Sequence, residues 1–414
     1  MNFVRGLQCV QCGAIYSTRV PYTCPTCGVT GILDVRYDYA AIAPQLTRRR
    51  LEARSEKNHW RYRELLPIRD RAALPALSVG WTPVTLTPSL AQELGLKTLY
   101  LKDDGRNPTG SLKDRASSVA VVKAREKRCQ IIACASTGNA ASSLAGMAAS
   151  VGLKSVIFVP LGAPEPKVTQ LLVFGATVLR VRGGYDQAYE LCQQACKQWG
   201  WYNRNCAINP YLVEGKKTVG LEICEQLDWD VPDWVAVSVG DGCTIAGTWK
   251  AFREMKLLGF IRRTPKMLGV QAEGAAPVTE AFRSGKMLRS ITPQTLADSI
   301  AVGVPRNWKK AVLAIQESCG TMVNVSDTEI LEAMRSTGRL AGIFAEPAAA
   351  AAVAGLHRAV CEKLISPRAS VVAVITGNGL KDTRGAQSAV SEPFEVAPNG
   401  AGLEEALRQS GLIG

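Results

Sequence analysis

From residue 80 onward, short apolar runs alternate with longer stretches in which apolar residues return at helical spacing. The runs at 98–101, 130–135, 155–159, 177–181, 234–239, 267–271 and 371–376 have the length and apolar content of buried strands. Segments such as 114–127, rich in Ala, Val, Lys and Arg, have the composition and period of helices, and the alanine run at 348–354 also favours helix. Strand–helix alternation of this kind predicts an α/β protein with parallel sheets covered by helices. The span is too long for one simple sheet, so two lobes with a cleft between them are expected.

Before residue 80 the pattern changes. Residues 1–37 read as a small cysteine ribbon, and the arginine-rich segment 38–79 as a helical strap joining it to the body. A larger lobe is expected from 80–114 together with 211–390, a smaller one from 115–210, and a tail at 391–414.

Composition narrows the function classes. The chain has 414 residues, 47% of them hydrophobic and 21% charged, which excludes wholesale disorder. No apolar run reaches the roughly 18 residues of a membrane span, and Met1 to Gly6 lack a signal-peptide core. A cytoplasmic protein with no membrane partner is the expectation. The net charge is +13, but the basic residues are scattered, and the Arg48-Arg49-Arg50 cluster reads as a solvated helix face and not a nucleic-acid footprint. A positive field favours anionic small substrates. Only two histidines occur, His59 and His357, neither in a motif, so acid–base chemistry must lean on lysine, carboxylates or a cofactor.

Four of the 13 cysteines are spaced tellingly. Cys9-Val10-Gln11-Cys12-Gly13 and Cys24-Pro25-Thr26-Cys27-Gly28 form two Cys-x-x-Cys knuckles, with 11 residues between them. Four thiolates at the ends of two short hairpins suit tetrahedral zinc better than redox work or a metal-free relic. With four protein ligands no coordination position stays open, so such a zinc is structural.

The segment Asn107-Pro108-Thr109-Gly110-Ser111-Leu112-Lys113-Asp114-Arg115 places one lysine where a turn opens a helix. Three further motifs lie where strands hand over to helices, the ligand-facing position of open α/β sheets. In Ser136-Thr137-Gly138-Asn139, hydroxyls and amides at a helix start can hold a carboxylate. Gly240-Asp241-Gly242-Cys243-Thr244 offers exposed amides and a helix dipole suited to a phosphate monoester. Thr376-Gly377-Asn378-Gly379-Leu380-Lys381-Asp382 ends the last predicted strand.

Taken together, these motifs and Glu346-Pro347-Ala348 resemble the threonine synthase branch of the fold-type II pyridoxal-phosphate enzymes, from about residue 80 to 382. Several relatives of that branch carry a cysteine ribbon as well. The resemblance implies that Lys113 bonds covalently to pyridoxal 5′-phosphate. It also implies that Gly240, Asp241, Gly242, Cys243 and Thr244 hold the cofactor phosphate, that Asn139 meets the ring hydroxyl and Thr376 the pyridine nitrogen, and that Ser136 and Thr137 take the substrate carboxylate. A neutral threonine at the ring nitrogen suits elimination or replacement at Cβ or Cγ better than transamination. A homodimer is expected from the same resemblance.

The pattern departs from that branch at the expected substrate-phosphate site. Leu212 stands where an arginine is expected, Cys206 or Ala207 where a serine is, Ala140 where a threonine is common, and Asp241 adds a carboxylate. Lys167 and Asn205 are candidate substrate contacts, and Arg182 or Arg204 could compensate. A threonine synthase acting on O-phospho-L-homoserine is the leading expectation. The rival is a β-elimination or β-replacement enzyme on a smaller or unphosphorylated amino acid, such as a threonine or serine ammonia-lyase or a cysteate synthase-like enzyme. A ligand-binding regulator that kept the fold is the third reading, opposed by the intact Lys113, Asn139 and Thr376.

Overall fold

The protein is described here by a computed structural model covering residues 3–20, 22–69, 74–163, 165–206 and 208–413. Its described strands form three sheets. The first comprises β1 (Val4–Cys9), β2 (Ile15–Tyr16), β3 (Thr23–Cys24) and β4 (Gly28–Tyr37), paired antiparallel in the order β2-β1-β4-β3. This small antiparallel sheet spans Val4 to Tyr37.

The large sheet contains β5 (Val84–Leu86) and β6 (Thr98–Asp103), and a second sheet begins with β7 (Ile131–Ala135), β8 (Lys154–Pro160), β9 (Thr177–Val181) and β10 (Tyr202–Asn203). The chain then returns to the large sheet with β11 (Trp234–Ser238), β12 (Lys266–Ala272), β13 (Thr321–Val325) and β14 (Ser370–Ile375). Their orders are β10-β7-β8-β9, all parallel, and β13-β12-β11-β14-β6-β5, parallel except for the antiparallel β5–β6 edge. In register, Val235 of β11 lies opposite Met267 of β12 and Val372 of β14, all three buried. Both faces of β11 and β14 are covered, which is why their sequences are continuously apolar instead of alternating.

The ribbon is part of the main core. Leu7, Leu33 and Val35 share one apolar cluster with Trp60, Phe252 and Met255. On the same surface Asp34 accepts from Lys250 at 2.9 Å and Lys310 at 3.0 Å, and the Tyr37 hydroxyl donates to Glu214 at 2.9 Å.

The strap is less helical than its composition suggests. Its described part holds only Tyr39–Ile42, Arg48–Glu52 and a 3-10 segment, His59–Leu65; Asp70 to Ala73 lie outside the described residues. Tertiary contacts win over helix propensity here. Arg61 is buried, donates to Glu225 at 2.5 Å and 3.0 Å, and stacks over Trp81 at 4.4 Å. The 391–414 tail carries one short helix, Leu403–Gln409, with no buried residue.

Candidate active site

Asp103 of β6, Ala135 of β7, Ser238 of β11 and Ile375 of β14 end their strands on the side where the four sequence motifs lie. The nonapeptide is locked from two directions. Locally, Asp114 accepts from the Thr109 amide at 2.7 Å and from its hydroxyl at 2.5 Å, closing the turn that opens the Lys113–Glu126 helix. Across the cleft floor, the Leu112 amide donates to the Thr376 carbonyl at 2.8 Å and the Asn378 amide to Gly110 at 3.0 Å.

Beneath it sits a fully buried ion cluster. Arg115 donates to Asp104 at 2.6 Å and to Glu222 at 2.8 Å, while Lys102 donates to Glu222 at 2.6 Å. Two cations and two carboxylates in one dry pocket are costly to assemble but fix the backbone they share. Gly215 on the Tyr211–Gln226 helix lets that helix close on Arg115: a Cβ there would lie 2.0 Å from the Arg115 carbonyl oxygen.

Lys113 opens into a cleft of about 580 Å³ lined also by Ser136, Thr137, Gly138, Asn139, Asn205, Gly240 to Thr244 and Thr376. Burial, then repulsion from Lys216, pushes the Lys113 ammonium down to about 8, with Glu346 opposing the shift. Far more of this amine is neutral, and hence nucleophilic, near neutral pH than in a solvated lysine.

The remaining motifs take distinct positions around that amine. Gly138 precedes the Asn139–Ser150 helix, so Ser136 and Thr137 lie at a helix start with its dipole behind them. Asn139 donates to both Glu346 oxygens, at 2.9 Å and 2.8 Å, and to Ser299 at 3.2 Å. Glu346 in turn requires glycine at 377, where a Cβ would meet its Oε1 at 2.4 Å. Burial pushes the Glu346 carboxyl up, against the pull of Asn139 and Lys113.

The glycine loop begins the Cys243–Leu257 helix, whose first amides have no partner within the helix. Gly242 has φ +94°, and a Cβ there would lie 2.8 Å from the Asn307 carbonyl. This cradle of amides at a helix start, closed to any side chain at 242, fits a phosphate group, and a partly buried lysine at the other end of the cleft fits an aldehyde. The donor set therefore fits pyridoxal phosphate.

Asp241 does not point freely at that cradle. Its carboxylate accepts from the Arg306 amide at 2.7 Å, from Cys243 Sγ at 3.3 Å and from Asn307 at 3.3 Å, and burial raises its pKa. Asn205 lines the cleft but is tied to structure, accepting from the Ala135 amide at 3.1 Å. Lys167 lies outside the main cleft, in a smaller neighbouring cavity, where it pairs with Asp298 at 2.5 Å. Arg182 is exposed and outside the cleft, whereas Arg204 lines it. Leu212 is buried in a core cluster with Val79, Ala116 and Ala120, and Ala207 lies outside the described residues. Sequence reasoning gave Glu346 no role and passed over Lys216. The signal for Lys216 was its spacing, one helical turn after Leu212.

In the ribbon, the sulfurs of Cys9, Cys12, Cys24 and Cys27 all lie within 4.8 Å of one another. The Gln11 amide donates to Cys9 Sγ at 3.3 Å and the Cys27 amide to Cys24 Sγ at 3.4 Å, each stabilising negative charge on sulfur. That donor set fits a tetrahedral zinc ion.

Residues 76–377 match a family model described as pyridoxal-phosphate dependent enzyme. The threonine synthase of Methanocaldococcus jannaschii is 41% identical over 395 residues, covering 94% of this chain and 96% of that protein. The threonine synthase of Methanosarcina acetivorans is 42% identical over 405 residues, covering 97% and 98%. Among solved structures, a threonine deaminase from Solanum lycopersicum superposes with a TM-score of 0.65 at 23% identity over 75% of this chain and 88% of its own, a likeness of fold.

Proposed function

The chain belongs to the pyridoxal-phosphate-dependent enzymes, in their threonine synthase branch, and we propose that it is a lyase converting O-phospho-L-homoserine and water to L-threonine and phosphate. The observation that carries the proposal is the near-complete coverage of two threonine synthases combined with a cleft that sets Lys113 among the hydroxyl and amide motifs. Pyridoxal phosphate supplies, when bound, an electron sink that acidifies the carbon bonds next to the substrate amine.

The chain's own residues do the rest. Lys113, with its lowered basicity, is the covalent anchor and, once free, the base that takes a proton from Cα and returns one further along the substrate. Ser136 and Thr137, at the start of the Asn139 helix, hold the substrate carboxylate. The amides of Gly240 to Thr244 hold the cofactor phosphate, Asn139 meets the ring hydroxyl, and Thr376 meets the pyridine nitrogen without enforcing a charge on it. Glu346 fixes the orientation of the Asn139 amide by accepting from its Nδ2.

Cys9, Cys12, Cys24 and Cys27 hold one structural zinc. No helix among the described residues is long and apolar enough to cross a membrane; a cytoplasmic homodimer acting on an anionic amino acid is the working picture. The ammonia-lyase reading keeps one observation in its favour, since Leu212 supplies no cation to a substrate phosphate.

Protein supplied with pyridoxal phosphate should turn yellow, absorbing near roughly 410–420 nm, and release phosphate from O-phospho-L-homoserine with equimolar threonine. Lys113→Ala should lose both the band and turnover. A band that survives in Lys113→Ala would remove Lys113 from the anchor role.

A further inference from the structure

Two cationic side chains in the cleft have no carboxylate ion-pair partner among the described residues. Arg204 follows β10 and is 2% exposed; Lys216 lies on the Tyr211–Gln226 helix and is 3% exposed. Arg204 donates through Nε and Nη2 to the Ser117 hydroxyl at 3.1 Å and 3.0 Å, and Lys216 has the Cys206 sulfur as its hydrogen-bonding neighbour. Both act on Lys113 as like charges. A hydrogen bond with Cys243 and then both cations lower the pKa of the neighbouring Cys206 thiol, which offsets part of the cations' charge, and the cleft both residues line is where a further anion can reach them.

Leu212 faces the core, whereas Lys216, four residues on and so on the same side of the helix one turn later, reaches the cleft. Ser117 stands one turn after Lys113 on its helix and holds the Arg204 guanidinium on the lysine's side of the cleft. The nearby carboxylate, Asp241, is engaged by the Arg306 amide and by Asn307.

We infer that Arg204 and Lys216 together form the subsite that binds the anionic end of the substrate, a phosphate monoester on the function proposed above, taking over from the arginine missing at 212. The inference rests on that function for the identity of the substrate, but not for the existence of the subsite.

The test uses the holoprotein, in which the cofactor phosphate already fills its own cradle, with inorganic phosphate as the probe. Calorimetry should show phosphate binding that weakens on the order of 10- to 100-fold in Lys216→Met and in Arg204→Met, the loss expected for a charge-assisted contact. Lys216→Arg, which keeps charge and helix, should retain most of it. Cofactor affinity, from absorbance titration of each apoprotein, should change by less than about threefold, a shift well below one charge-assisted hydrogen bond.

Equal loss of cofactor affinity in the Met variants would assign these cations to the cofactor and overturn the inference. Phosphate binding unchanged in both would overturn it as well. Lys216-dependent phosphate binding without turnover of O-phospho-L-homoserine would sustain the subsite while refuting the threonine synthase reaction.

Discussion

Lys113 should capture pyridoxal phosphate far faster near neutral pH than an ordinary lysine, and with its own pH break. Burial and the Lys216 charge bring its pKa from 10.5 to about 8. The difference of about 2.5 units corresponds to about 3.4 kcal/mol favouring the neutral amine. At pH 7 roughly one Lys113 in ten is then unprotonated, against about one in 3,000 for a solvated lysine, a gain of about 300-fold in reactive amine. The assay is the initial rate at which apoprotein incorporates pyridoxal phosphate, trapped by borohydride and read on the Lys113 peptide by mass spectrometry. The rate should climb about tenfold per pH unit below the break and flatten above pH about 8. Removing the like charge in Lys216→Met should move the break upward. A wild-type rate still climbing at pH 10, or a break that moves down in Lys216→Met, would refute the electrostatic account of this lysine.

Three further outcomes follow from the same structure. Metal analysis should find about one zinc per chain, lost together with part of the thermal stability when Cys24 and Cys27 become serine; a metal-free protein of equal stability would remove the structural zinc. Burial would raise the Glu222 carboxyl, but Arg115 and Lys102 outweigh it and bring its pKa from 4.5 to about 2, so its stabilising share is full above pH about 4.5 and lost as the pH falls through about 2. Glu222→Gln should therefore cost about 3–5 kcal/mol in urea unfolding at pH 7, and the gap from wild type should narrow toward pH 2; a gap independent of pH would contradict the assignment. Gly215→Ala, forced against the Arg115 carbonyl, should lower stability by at least about 1–3 kcal/mol by calorimetry.

The parallel strands were legible because largely apolar runs of four to six residues leave little else for them to be. The run at 371–376 lies one residue from the buried Ser370–Ile375, and Thr177–Val181 begins and ends where its run does, although it is largely exposed. The strands that escaped are short or marginal. β5 is three partly exposed residues on an edge, β10 is two residues, and β13 breaks its apolar run with Asn324. The strap misled because the helix-favouring Arg61 is recruited into contacts with Glu225 and Trp81.

In the site, the motifs were visible but their alliances were not. Asn139 and Glu346 are 207 residues apart, and Arg115 meets Glu222 across 107. Asp241 read as a charge facing a phosphate; only the fold supplies the Arg306 amide and Asn307 that engage it. Lys167 had suitable chemistry but lies in the adjoining cavity, paired with Asp298 on the cleft's edge. Lys216 was hidden beside Lys217, which the fold spends on Glu214 and Glu254.

The central claim is the reaction, and product analysis tests it most directly. Holoprotein should be incubated in parallel with O-phospho-L-homoserine, L-threonine and L-serine, following phosphorus and proton resonances together. Threonine and inorganic phosphate appearing one for one from O-phospho-L-homoserine, with the other two amino acids unchanged, is the predicted result. Oxo-acid and ammonia from threonine or serine, with O-phospho-L-homoserine inert, would contradict it.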